Sequence, residues 1–243
     1  MLNKQQLPLS DFLNNLQTFD VVLMHGIFPL SLMSEEIEGS PYSHVGVVAV
    51  AGDLISAGLP LKNIDPETRL FWESNVTTEL TIVAPKNFPL DVLLNTGKNG
   101  PQLTKLVDRM TFDVVNQYDT IFAGRRLTLN RTPAMFETFV SLILKVHGDL
   151  FPVAPDGTYL DGANFQLGRF QNKPVTDNTF FCSQLAARTY MDLGLLTQQY
   201  VDNSYCPADF AEAPDVSFLN GAWLGKETFL DPSTLSKTFP IPS

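Results

Sequence analysis

The sequence predicts an α+β domain, on three observations. Compact apolar runs of strand length crowd into the first third of the chain, and stripes with helical period take over beyond residue 85. The 243 residues are 44% hydrophobic and 17% charged, enough apolar material for one large core. With no internal repeat, this order argues for one continuous domain over residues 1–243, carrying residues 86–150 as a helical insert.

In chain order, Leu7 to Leu16 alternates polar and apolar residues, with Ser10 and Asp11 placed as a cap, and reads as a short opening helix. Phe19 to His25 (FDVVLMH) is a compact apolar run and predicts a buried strand. Gly26 to Tyr42, with its Gly, Pro, Ser and acidic residues, reads as a loop. His44 to Ala51 (HVGVVAVA) is the strongest strand signal, and Gly52-Asp53 offers a hairpin turn after it. Leu70 to Ser74 and Glu79 to Ala84 predict two more strands. Leu103, Leu106, Val107, Met110, Val114 and Val115 then fall on one face of a helix. Pro133 is tolerated in a first turn and opens a second helix, striped by Phe136, Phe139, Leu142, Ile143 and Val146 and ended by Gly148. Asp149 to Asp177 reads as a loop. A third helix starts near Phe180 and runs to Gly194, with Leu185, Ala186, Thr189, Tyr190 and Leu193 facing inward. The tail from Pro207 to Ser243 reads as a surface wrap.

Composition removes several functions. The net charge is -10, from 26 acidic and 16 basic residues, which disfavours a surface that tracks nucleic-acid phosphates. No window approaches the roughly 20 apolar residues of a membrane span, and Met1 to Gln6 opens no signal-peptide core. A cytoplasmic location is the expectation for the sequence as it stands, although a trimmed signal leaves the same sequence. Cys182 and Cys206 are expected as reduced thiols, because a core of this size does not need a single staple. No CxxC or His/Cys cluster supports a metal, and no cofactor is required.

Cys182 is the candidate nucleophile. Apolar residues precede it and an amphipathic helix follows, so its thiol belongs at a helix N-terminus, where unpaired N–H groups and the dipole favour an anion. The same N–H groups suit an oxyanion, and Ser183 and Tyr42 are the side chains to consider for oxyanion or substrate contact. Of the three histidines, His147 closes a helix whose dipole favours an imidazolium, which is a structural place, and His25 ends a buried strand. His44 opens the best strand, at an end where sites are mounted, and is the candidate base. Glu73 is the candidate third residue, since a carboxylate inside the run FWES is out of place unless paired.

The segment Ser40-Pro41-Tyr42-Ser43-His44-Val45-Gly46-Val47-Val48, Glu73 on a following strand, and Phe181-Cys182-Ser183-Gln184-Leu185 followed by Arg188, Tyr190 and Gly194 resemble the YiiX-like, circularly permuted branch of the NlpC-type papain-like superfamily. Tyr205-Cys206-Pro207-Ala208-Asp209-Phe210 resembles the segment that follows the cysteine helix there. The resemblance spans roughly residues 19 to 212, only loosely between about 85 and 175. It implies Cys182 as nucleophile, His44 as base and Glu73 as the orienting residue. It also implies a permuted papain-like fold, an antiparallel β-barrel or sheet packed on the cysteine helix. The family often has Gly-Asp where this chain has Phe19-Asp20.

The expected activity is that of a cysteine amidase or peptidase working through an acyl-enzyme, on a peptide or a cell-wall fragment. An alternative is a lipid acyltransferase, phospholipase or thioesterase on the same fold, with an acyl-lipid substrate. Relatives of that kind carry Asn-Cys-x-x-Phe at the nucleophile, where this chain has Phe181-Cys182-Ser183-Gln184. The Phe28 to Met33 loop suits an apolar groove, though core filling explains its composition as well. A second alternative is a binding domain that keeps the fold without catalysis, against which the complete Cys, His and Glu set counts.

Overall fold

The computed structural model describes residues 6–26, 41–76, 88–116, 118–154, 158–175, 178–213 and 215–235. Strands β1 (Gln6–Leu7), β2 (Val21–Gly26), β3 (His44–Val50), β4 (Arg69–Asn75), β5 (Gly100–Lys105), β6 (Asp119–Arg125) and β9 (Thr228–Leu230) form a seven-stranded sheet in the order β1-β9-β6-β2-β3-β4-β5. Its pairs are antiparallel except β1 with β9, which is parallel. The order is open, so the sheet half of the barrel-or-sheet expectation describes it: among the described residues no strand pair closes a barrel. Strands β7 (Leu127–Thr128) and β8 (Trp223–Leu224) make a separate small ladder. The helices are α1 (Leu9–Asn14), α2 (Ala51–Ser56), α3 (Leu106–Asn116), α4 (Pro133–Val146), α5 (Asp161–Gln171) and α6 (Cys182–Asp192). No helix among the described residues is long and apolar enough to cross a membrane.

Strand alternation places a core on each face of the sheet. Val45, Val47, Ala49, Leu70 and Trp72 pack with Phe139 and Ile143 of α4 and with Leu185 and Tyr190 of α6. Val48 and Phe71, on the other face, pack with Phe12 of α1 and Leu106 and Met110 of α3. The central strands are thus covered on both sides, which is why β3 and β4 read as nearly continuous apolar runs.

Several segments depart from the sequence reading for identifiable reasons. Gly52 and Asp53 lie in α2 and not in a hairpin turn: the Ala51 and Gly52 N–H groups donate to Thr68 and Pro66 carbonyls, Thr18 Oγ1 bonds Asp53 at 2.5 Å, and Leu54 is fully buried. Leu103 belongs to β5, in register with Trp72, and the helix begins only at Leu106. A buried strand running straight into a helix had lent its apolar residues to the helical stripe. Residues 86–150, expected as a helical insert, also supply β5 at one edge of the main sheet and β6 inside it, between β9 and β2. Helix α5 falls in the expected loop because only Gly168 along it is buried, leaving no apolar stripe to read. The tail does more than wrap the surface, since β9 enters the sheet between β1 and β6. The expected strand Glu79 to Ala84 and the loop Phe28 to Met33 lie outside the described residues.

Phe19 adopts φ 76°, the left-handed region that glycine enters freely. That conformation costs a residue with a Cβ about 1–2 kcal/mol. Here the ring offsets the cost by stacking on Phe136 at 5.3 Å and meeting Phe139 edge-on at 5.4 Å, while the Phe19 carbonyl accepts from the buried Tyr190 hydroxyl at 2.7 Å.

Candidate active site

Strand β4 organises the site by pointing neighbouring residues to opposite faces. Glu73 shares the face of Phe71 and looks toward α3, while Ser74 looks toward α6. Continuing the β3–β4 register, Glu73 lies opposite Gly46 and diagonal to His44. His44 Nε2 bonds Glu73 Oε2 at 2.6 Å. The Glu73 carboxylate is fully buried and accepts from Arg109 Nε at 3.1 and 3.2 Å and from Thr104 Oγ1 at 3.3 Å. Burial alone pushes Glu73 up, but the Arg109 charge, then the His44 hydrogen bond and charge, hold it below the usual carboxylate range.

Cys182 is the first residue of α6 and is partly exposed. The segment before it is held by the sheet: Ser74 Oγ donates to the Phe180 carbonyl at 2.5 Å, and Phe180 N–H donates to the Leu150 carbonyl at 2.9 Å. Gln184 accepts from Phe181 N–H at 3.5 Å and donates to Asp202 at 3.2 Å, steadying the first turn. By helix geometry the N–H groups of Cys182, Ser183 and Gln184 have no acceptor within α6. Gly100, at φ 93°, permits the close approach of the Asp149–Leu150 backbone, for an added Cβ would lie 2.5 Å from the Asp149 oxygen.

His44 joins the two halves. Burial pushes its imidazole down, but the Cys182 charge and hydrogen bond, followed by the Glu73 hydrogen bond and charge, outweigh burial and raise it to about 10. Since Nε2 faces Glu73, Nδ1 is the nitrogen left for Cys182. The three residues chosen from the sequence therefore meet around one imidazole, which keeps 12% of its side-chain surface open.

The remaining sequence candidates take other places. Ser183 is buried and its hydroxyl donates to the Tyr205 carbonyl at 2.9 Å, so only its backbone N–H is left for an oxyanion. Tyr42 sits in the core, its phenol hydrogen-bonded to Glu227 and driven well above its usual range by burial first and Glu227 next. His147 pairs with the buried Asp91 at 2.9 Å, a contact that ties α4 to the 88–99 segment. His25 is partly buried within β2, opposite Ile121. Cys206 is buried, and neither cysteine is in a disulfide. Among the described residues no three His, Cys, Asp or Glu side chains are grouped to hold a metal ion. A surface cavity of 460 Å³ lined by Ser10, Asn14, Arg69 and Lys105 lies at the far end of β4 and contains none of the three residues.

Sequence reasoning passed over Arg109 and Asp113. Arg109 is 4% exposed, donates to both Glu73 oxygens, ion-pairs with Asp113 one turn on, and rests on Phe88 at 4.9 Å. A signal existed: at Leu106, Arg109, Met110 and Asp113, a charged i,i+4 pair interrupts the stripe that the helical period places inside. No known family model matches the chain, and no curated protein matches it.

Proposed function

We propose that the protein is a cysteine hydrolase acting by acyl transfer, with Cys182 as nucleophile, His44 as base and Glu73 orienting the imidazole. The observation that carries this reading is the placement of one imidazole between a buried carboxylate, 2.6 Å from Nε2, and a thiol at a helix N-terminus. With Glu73 accepting the Nε2 proton, the raised His44 holds the thiol's proton on Nδ1, so sulfur attacks the substrate carbonyl as the thiolate of an imidazolium pair. The carbonyl oxygen gains the charge and is met by N–H groups of the first turn of α6. The imidazolium then protonates the leaving group, and water deprotonated by His44 releases the acid and regenerates the thiol. The chain order His44, Glu73, Cys182 and the helix-on-sheet arrangement support the circularly permuted papain-like reading. Amide substrates, a peptide or cell-wall fragment, are the primary expectation.

Site-resolved alkylation by iodoacetamide tests the assignment. Cys182 is expected to react much faster than Cys206 and to lose at least about tenfold in rate in His44→Ala. A Cys182 rate indifferent to His44 would overturn the reading.

A further inference from the structure

The Glu73 carboxylate is not a free anion. Among the described residues, the groups facing it are His44 from β3, Arg109 from α3 and the neutral Thr104 and Gln102 from β5; Asp113 acts on it through Arg109, and Cys182 reaches His44 from α6. Arg109 and Asp113 are both buried, at 4% and 1% exposure, so solvent screens them little. Their order is alternating: imidazole, carboxylate, guanidinium, carboxylate.

We propose that Arg109 and Asp113 are positioning residues that set the protonation of the His44 imidazole, Arg109 by keeping Glu73 an ionised acceptor and Asp113 by offsetting part of the guanidinium charge. This rests on the assignment of Cys182, His44 and Glu73 above. A protonated Glu73 would itself present a donor to Nε2, forcing the ring proton onto Nδ1 and removing the lone pair that a base must offer to sulfur. An ionised Glu73 with no counter-charge would instead hold the imidazolium too firmly to pass its proton on. Arg109 avoids both states because it donates to both carboxylate oxygens at once. Asp113 keeps that guanidinium from overcompensating and fixes its orientation from within the same helix.

The two residues therefore act with opposite sign, which separates this role from simple structural support. Removing a cation raises the proton affinity of His44, and removing an anion lowers it. In full-length protein with ¹⁵N-labelled imidazoles, NMR titration reads His44 directly once His25 and His147 are assigned by substitution. The measurements use a Cys182→Ala background, so they report on His44 whether or not the thiol is a nucleophile. The neutral ring is expected as the Nε2–H tautomer. Arg109→Gln moves the midpoint up by about one pH unit, Arg109→Lys leaves it near the parent, and Asp113→Asn moves it down by about half a unit. An Nδ1–H tautomer, an unmoved midpoint in Arg109→Gln, a failure of lysine to restore it, or shifts of the same sign in the two single variants would overturn the proposal. If Arg109→Gln does not fold, the sign of the Asp113→Asn shift decides alone. Loss of Cys182 alkylation dependence on His44, with these shifts intact, would instead sink the hydrolase reading and leave the charge relay standing.

Discussion

Adding one methyl group at Gly46 tests the packing that aims His44. Gly46 sits between His44 and Val48 on one face of β3, opposite Glu73 by the strand register. A Cβ there would lie 2.4 and 2.5 Å from Phe71 Cζ and Cε2, and 2.9 Å from the Trp72 carbonyl oxygen. Ordinary contact begins at 3.4 Å, so the overlap with the ring is about 1 Å. Phe71 is fully buried, with the His44 ring 6.1 Å away on one side and the α1–α3 core around it, and it has no open direction in which to move. Overpacking of this kind costs about 1–3 kcal/mol, and Gly46→Ala is expected in the upper half because a backbone carbonyl is also met. Urea unfolding should show that loss at an unchanged m value, and Cys182 alkylation should slow because His44 is displaced. Phe71→Leu, about 1 kcal/mol destabilising by itself, should partly rescue Gly46→Ala, since it removes the ring but not the Trp72 carbonyl. A Gly46→Ala protein within about 0.5 kcal/mol of wild type, or a Phe71→Leu effect of equal size in both backgrounds, would refute the packing argument.

Gln102 is fully buried opposite Glu73, and among the described residues neither of its amide atoms has a hydrogen-bond partner. Gln102→Met should therefore stabilise the fold, by up to about 1–3 kcal/mol, in thermal or urea unfolding, and a loss of stability would show that the amide has a partner after all. Asp20 is buried and raised from 3.8 to about 6, by burial that outweighs the Gln17 and Leu127 N–H groups and then the Arg131 charge. A carboxyl whose folded value is raised contributes stability below the unfolded value that is lost as pH rises through the folded one, here from about pH 4 to 6 and amounting to about 3 kcal/mol. Unfolding of wild type and Asp20→Asn at pH 3.5 and 7 isolates this: the wild type should lose ground to the variant as pH rises, and the opposite sign would mean that Arg131 and the two N–H groups prevail over burial.

Much of the site was legible because its members break local patterns. Cys182 stands where an apolar run becomes an amphipathic helix, His44 at the first residue of the most hydrophobic strand, and Glu73 amid FWES, each a polar atom where burial demands a partner. Helices with strong stripes, α4 and α6, read within two residues of their ends. What failed to read was whatever lacked a period of its own. Strand β5 merged with α3 because a strand buried on both faces carries no alternation, and α5 left no stripe because almost all of it faces water. Ser183 and Tyr42 failed differently: being next to a site in sequence says nothing of direction, and one hydroxyl turns to Tyr205 while the other turns to Glu227.

Arg109 shows why a charge that acts through Glu73 is harder to read than Glu73 itself. Glu73 calls for a counter-charge, and the chain offers 16 lysines and arginines to supply it. Sequence separation does not choose among them, since the choice is made by β4 lying beside β5 and by β5 running directly into α3. Once that connection is known, the rest follows from geometry. A helix leaving the end of β5 packs back over the face that carries Glu73, and its apolar positions Leu106 and Met110 seat it against Phe71 and Val48. The residue that flanks them, about 60° round the helix from Leu106, then points at the carboxylate, and the residue one turn later can reach it. Those residues are Arg109 and Asp113. The apolar contacts thus locate the charges, and the charges in turn hold the imidazole of His44.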